Sequence, residues 1–304
     1  DERNFRSAYY EKVGCRSVEE RKSLEILLKD RPLNRLKLKQ FCLRFTVPFH
    51  HRSLLWNILL GYMPVYQDSN NEYVIQQHLS IYEDLQRAIK IMRIVDEKTS
   101  KSRIMYAMWL LENKQLYLGL NLNAESDFVS ITEVLLKTFD SDIEIYWLAK
   151  GFYEFVEEIK EEIAKLIDHT NCLLEKEDEL LHSHLRKINV LQSLPYEKFF
   201  GTCFADTLHE LAIVKIWDKI CGGSVKILVF VLIVLLTTLR HSILQCGDLK
   251  SVLNSIENIK DEQETADVIV NKAIELWQQN KGHNEFILQS KIHCVPYFAA
   301  IIQL

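Results

Sequence analysis

Residues 227–236 read Ile-Leu-Val-Phe-Val-Leu-Ile-Val-Leu-Leu without a polar interruption. A helix that is apolar on every side must be buried on every side. The run is too short to cross a bilayer, which takes roughly 18–20 apolar residues. The chain must therefore fold other helices around it, and that requirement excludes a thin or open architecture. Gly222 and Gly223 stand just before it. They close a preceding amphipathic helix that begins near Leu208 and carries Leu211, Val214, Trp217 and Ile220 at three- and four-residue spacing.

The rest of the chain supplies the covering helices. With 304 residues and 48% hydrophobic side chains it can bury a large core. Only 9 glycines and 5 prolines leave few turns for a many-stranded protein. Leu, Ile, Lys and Glu dominate, which favours helices. The expected class is all-α, with no β-sheet.

Helix signals recur in order. Residues 4–13 form a short aromatic helix stopped by Gly14, and Ser17 opens another through a capping-box pattern with Glu20. Residues 34–45 follow. Pro48 opens and Gly61 closes a helix that carries Arg52, Leu55, Trp56, Leu59 and Leu60. A long helix spans 72–95, with Val74, Ile81, Leu85, Ala88, Ile89 and Met92 as its core stripe and Ile75, Leu79 and Ile91 off it. Residues 103–111 are helical and 113–123 irregular. Ser126 and Ser141 cap helices over 128–139 and 143–166. Residues 168–171 join two helices, the second covering 173–185. A helix starts at Pro195 and runs through Phe204, 249–259 is amphipathic, and 266–277 is the last clear helix.

Several chemistries are missing. There is no P-loop, no dinucleotide-binding glycine motif and no nucleophile elbow. His182 and His184 would point about 160° apart on a helix, which does not make a metal site. No metal or cofactor is expected. Seven cysteines stand apart without a C-x-x-C pair, as in a reduced cytosolic protein. His50-His51 and the acidic run 154–162 read as solvated helix faces. A net charge of −5 gives no electrostatic footprint for nucleic acid, and Asp1-Glu2-Arg3-Asn4 is not a signal peptide.

The order of the motifs carries more information than any one of them. Arg52-x-x-x-Trp56-x-x-Leu59-Leu60-Gly61, Tyr146-Trp147, Leu180 with His184-Leu185, Phe199-Phe200 with Phe204, and Ile216-Trp217-Asp218 resemble the successive signatures of the TBC domain, the fold of Rab GTPase-activating proteins. The resemblance implies two contiguous helical lobes, 48–170 and 171–280. Residues 1–47 would be helices packed on the domain, and 281–304 an apolar tail whose pattern assigns it no element. Arg52, Trp56, Gly61, Tyr146, Trp147, Trp217 and Asp218 would be its structural motif residues.

Active family members carry an arginine finger in I-x-x-D-x-x-R and a glutamine finger in Y-x-Q. Here the first region reads Ile91-Met92-Arg93-Ile94-Val95-Asp96-Glu97-Lys98-Thr99. The arginine position is taken by Thr99 or by Glu97, according to register. The nearest counterpart of the second is Tyr117-Leu118-Gly119, with glycine in place of the amide. An arginine finger contributes roughly 10³–10⁵ in rate, about 4–7 kcal/mol, so the resemblance implies an adaptor without catalysis.

Further stretches, including 4–14, 22–30, 226–231 and 266–274, resemble the branch of the family that belongs to the tuberous sclerosis complex. That implies binding to the coiled coil of hamartin and, through it, association with tuberin, which acts on Rheb to restrain mTORC1. The expected place is the cytosol, cytoplasmic vesicles and the lysosomal membrane surface, reached through the complex. Leu55, Leu59, Ile75, Leu79 and Ile91 are the candidate partner-binding residues. The alternative is a Rab GTPase-activating protein with displaced fingers, drawing on Arg93 or Arg103 and on Gln115.

Overall fold

The structure is a computed structural model, and residues 18–66, 70–117 and 119–280 are described. The expected aromatic helix at 4–13, its Gly14 stop, the Ser17 cap and the tail from Gly282 lie outside the described residues. The described residues hold helices and no strand: α1 Val18–Lys29, α2 Arg35–Arg44, α3 Phe49–Leu60, α4 Asn70–Ile91, α5 Lys101–Glu112, α6 Asp127–Thr138, α7 Asp142–Lys160 and α8 Ile163–Glu177. Then follow α9 Glu179–Lys187, α10 Tyr196–Gly201, α11 Glu210–Cys221, α12 Ile227–Thr238, α13 Arg240–Ile243, α14 Leu249–Glu257 and α15 Gln263–Asn280.

The apolar run becomes α12, and all ten of its residues are buried. α15, α8, α11 and α13 cover it. α11 reaches in both directions, packing on α12 and α15 on one side and on α2, α3 and α6 on the other. It ties the two halves of the chain into one core. Gly222 ends α11, and Gly223 follows at φ +100°, a left-handed conformation that glycine accepts freely. α1, α2 and the turn between them join the same core through Leu24, Leu33, Leu38 and Phe41. Among the described residues no helix is long and apolar enough to cross a membrane.

Several expectations need correction. The helix starting at Asp142 stops at Lys160, and a new one starts at Ile163. Residues 168–171, read as a connection, lie inside α8, so the division at 170/171 cuts a helix. Thr170 does not break the helix because its hydroxyl donates to the Leu166 carbonyl one turn back at 2.7 Å. The real punctuation is Asp178, whose carboxylate caps α9 by accepting from Leu181 N at 3.0 Å. Met92 leaves the core stripe and is exposed, because α4 ends at Ile91 and the chain turns through a left-handed Arg93 at φ +55°. Leu211, read as part of the apolar face of α11, also faces solvent.

Candidate functional site

The charged centre of the fold is Asp218, on the buried second half of α11. Its carboxylate is fully buried and accepts from Arg52 Nε at 2.9 Å, Arg52 Nη2 at 3.1 Å, Trp56 Nε1 at 3.0 Å and Val47 N at 3.1 Å. Arg52 Nη2 also donates to the Val47 carbonyl at 2.9 Å. Position four on α3 brings Arg52 and Trp56 to one face, so a single carboxylate fixes both the body of α3 and the chain entering it. Pro48, the residue before α3, has no side chain able to cap it, and the Asp218 bond to Val47 N anchors that entry instead. Next to it Lys219, also buried, donates to the carbonyls of Cys42 at 2.7 Å and Phe45 at 2.5 Å, at the C-terminal end of α2.

Trp217 completes the centre. Its ring stacks on Phe152 at 4.5 Å and lies 6.2 Å from Trp56. Its Nε1 donates to the Cys203 carbonyl at 3.0 Å, holding a turn in which Cys203 and Phe204 both have positive φ. Burial pushes the thiols of Cys42, Cys203 and Cys221 up, so they stay protonated and inert.

A second cluster surrounds α7. Lys150 Nζ meets Glu112 Oε1 at 2.6 Å, and Tyr146 donates to Glu112 Oε2 at 2.8 Å. Trp147 donates to the His78 carbonyl at 3.3 Å and stacks on the His78 ring at 4.0 Å. Burial, then the nearby Lys150 charge, holds the His78 imidazole down to about 4. Tyr62 packs at a tilt against Trp147, ring centroids 5.5 Å apart, and donates to Glu154 at 2.6 Å. Burial, then the Glu154 charge, pushes its phenol up.

The turn after α4 is closed by its own side chains. Thr99 Oγ1 donates to Asp96 Oδ1 at 2.6 Å and accepts from Asp96 N at 3.0 Å. The Thr99 hydroxyl, followed by backbone donors, holds the exposed Asp96 carboxyl below its ordinary range. Glu97 points to solvent. Across the loop after α5, Gly119 is exposed at φ +88°. Arg103 donates to the Leu122 carbonyl, tying α5 to that loop.

Comparison with known proteins connects this geometry to a family. Human TBC1 domain family member 7 is 35% identical over 285 residues, covering 92% of this chain and 96% of its own length. The Danio rerio and Xenopus tropicalis proteins of the same name are 37% and 36% identical, with the same coverage. The chain belongs to the TBC domain family. The family profile for the RabGAP TBC domain matches residues 149–285. Among solved structures, the Ypt/Rab-GAP domain of Gyp1p aligns with TM-score 0.61 at 14% identity, covering 86% of this chain and 98% of that one. The flagellar RabGAP TBC domain of Chlamydomonas gives 0.56 at 14%, over 84% and 95%. These two establish the fold.

Seen as a TBC domain, the chain divides its motif residues between two sites. Arg52, Trp56, Trp217 and Asp218 meet in one buried centre, and Tyr146 and Trp147 meet in the second cluster. Gly61 caps α3 in the left-handed region at φ +94°. Thr99, Glu97 and Gly119 contribute nothing to either. Leu55 and Leu59 are corrected: both are buried within the core, where a partner cannot reach them. Ile75 and Ile91 are exposed and Leu79 is half-buried. Ile75 and Leu79, one turn apart, share a flank of α4. Ile91 is turned about 160° from Ile75, so the three do not form one stripe. Sequence reasoning missed Glu112, Lys150, His78 and Lys219. The usable signal for Lys219 was two adjacent charges, Asp218-Lys219, set between apolar residues on both sides.

Proposed function

We propose that the chain is a non-catalytic TBC-domain adaptor of the tuberous sclerosis complex. It binds the coiled coil of hamartin and so supports the hamartin–tuberin assembly, whose tuberin subunit accelerates GTP hydrolysis on Rheb and restrains mTORC1 at the lysosomal surface. The observation that carries this reading is the state of the finger positions. Thr99 spends its hydroxyl on closing the Asp96 turn, and it has no charge to place on a phosphate. Glutamate at 97 has the wrong sign, and Gly119 has no amide to orient water. The likeness over nearly the whole chain to proteins named TBC1 domain family member 7 supports the choice of complex. The coiled coil would lie along the α4 flank of Ile75 and Leu79, in the helix-on-helix mode.

Capture of the chain by the hamartin coiled coil tests the partner. Ile75→Asp and Leu79→Asp should weaken capture while the melting temperature holds, and undiminished capture in both removes this face. A single-turnover GTP hydrolysis assay across a panel of Rab proteins tests the rest. No acceleration is expected. Acceleration lost on Arg93→Ala or Arg103→Ala would overturn the adaptor reading in favour of a Rab-directed activator.

A further inference from the structure

A groove of about 1130 Å³ runs between α6, the α7–α8 junction, α10 and the end of α14. Small-molecule sites enclose roughly 300–1,000 Å³, and this one is larger and open along its length, a shape suited to a segment of polypeptide. Ala164, exposed, and Ile167, half-buried, give it an apolar floor, with Val129 and Ile163 buried beneath.

The charges of its walls do not balance. Seven carboxylates and four cations line it. Three of the cations are already matched within the groove: Lys160 to Asp127 at 2.9 Å, Lys198 to Glu125 at 3.3 Å and Lys260 to Asp206 at 3.9 Å. The fourth, Arg103, is turned to the Leu122 carbonyl. Glu133 accepts from Ser102 at 3.3 Å. Glu161, Glu197 and Glu257 remain exposed, and among the described residues no cation stands within ion-pair distance of them.

We propose that this groove docks a basic amphipathic helix of a partner protein, its apolar stripe on Ala164 and Ile167 and its lysines or arginines against Glu161, Glu197 and Glu257. Charge complementarity selects the occupant: an apolar floor between walls of net negative charge concentrates the opposite charge, and rim charges set partner choice and encounter rate. Because the groove is walled by α6 from one half of the chain and α14 from the other, an occupant would bridge the two. The site lies on other helices than the α4 flank assigned to hamartin.

The test is fluorescence anisotropy on the full chain with a labelled 18-residue amphipathic Leu/Lys peptide. A Leu/Glu peptide of the same pattern is the counter-probe. The Lys peptide should bind, and affinity should fall about tenfold or more in the triple variant Glu161→Lys, Glu197→Lys, Glu257→Lys and on raising salt from 50 to 300 mM. The distant triple variant Glu83→Lys, Glu175→Lys, Glu177→Lys carries the same change in net charge and should bind as the parent does. Absence of Lys-peptide binding, equal binding of the Leu/Glu peptide, or an equal loss in the distant variant would each overturn the proposal. Capture by hamartin should be unchanged in the groove variant. Its loss there would make the groove part of that interface and end the case for a separate basic partner.

Discussion

Replacing Asp218 by leucine should be among the most damaging single changes in this fold. The carboxylate is fully buried, and the Arg52 side chain is only 7% exposed. Removal leaves a guanidinium in the core without its counter-charge, together with the Trp56 and Val47 N–H groups that donated to the same oxygens. Breaking one partner of a buried ion pair costs about 3–5 kcal/mol. The unfolding entropy of about 2.1 cal/mol/K per residue gives roughly 0.6 kcal/mol/K for a chain of this length, so the melting temperature should fall by about 5–8 °C.

The assay is thermal and urea unfolding followed by circular dichroism, with a double-mutant cycle. Arg52→Met alone strands the carboxylate and should cost a similar amount. The pair Arg52→Met/Asp218→Leu removes both charges, leaves two N–H groups unmet, and should fall short of the sum by about 1–3 kcal/mol. The exposed pair of Lys37 and Asp30, at 3.2 Å with side chains 54% and 37% exposed, provides an internal reference. Lys37→Met should lose under about 1 kcal/mol. A loss at Asp218 no greater than this, or strict additivity in the cycle, would refute the account of the centre.

Three further outcomes follow from the same geometry. Gly151→Ala would put a methyl group 2.5 Å from Tyr62 Cε2, against a ring held by Trp147 and Glu154. It should cost about 1–3 kcal/mol in urea unfolding. His78 has a folded pKa near 4 against 6.5 unfolded, so between these values the unfolded chain binds more protons. Its contribution is present above pH 6.5 and lost as pH falls toward 4. His78→Phe should therefore make the melting temperature less sensitive to acidification from pH 7.5 to 5. Leu59→Ala should cost about 2–5 kcal/mol, whereas Ile91→Asp, on an exposed site, should stay within about 0.5 kcal/mol; the reverse order would place Leu59 on the surface after all.

What the sequence made legible was local. Pro48 and Gly61 bracket α3 as expected, and the all-apolar run had only one physical solution. Asp168 and Asn171 misled because short polar residues favour caps and also tolerate helix interiors, and the Thr170 hydroxyl between them returns to the Leu166 carbonyl four residues back. Asp178 is the same chemistry used as a cap, and only the packing of α8 and α9 separates the two cases. The centre was out of reach for a different reason. Arg52 and Asp218 are 166 residues apart, and no local pattern states that they meet. The TBC resemblance put both on a shared set of motif residues without saying that one accepts hydrogen bonds from the other. Leu55 and Leu59 went wrong because α3 is apolar on more than one side, and periodicity cannot tell a second buried face from a docking face.

Asp218 differs from Thr99 and Gly119, the residues proposed to stand at the finger positions, in how much of the fold depends on it. Asp218 holds three segments at once, so any replacement must leave several buried groups without partners. Thr99 bonds only within its own four-residue turn, and Gly119 has no atom within 4 Å of the place a Cβ would occupy. At Gly119 a side chain meets open space and costs only the left-handed backbone, about 1–2 kcal/mol. Substitution at Thr99 or Gly119 should thus cost the fold less than substitution at the centre. A sequence held to stability alone would therefore keep Arg52, Trp56, Trp217 and Asp218 more strictly than Thr99 or Gly119.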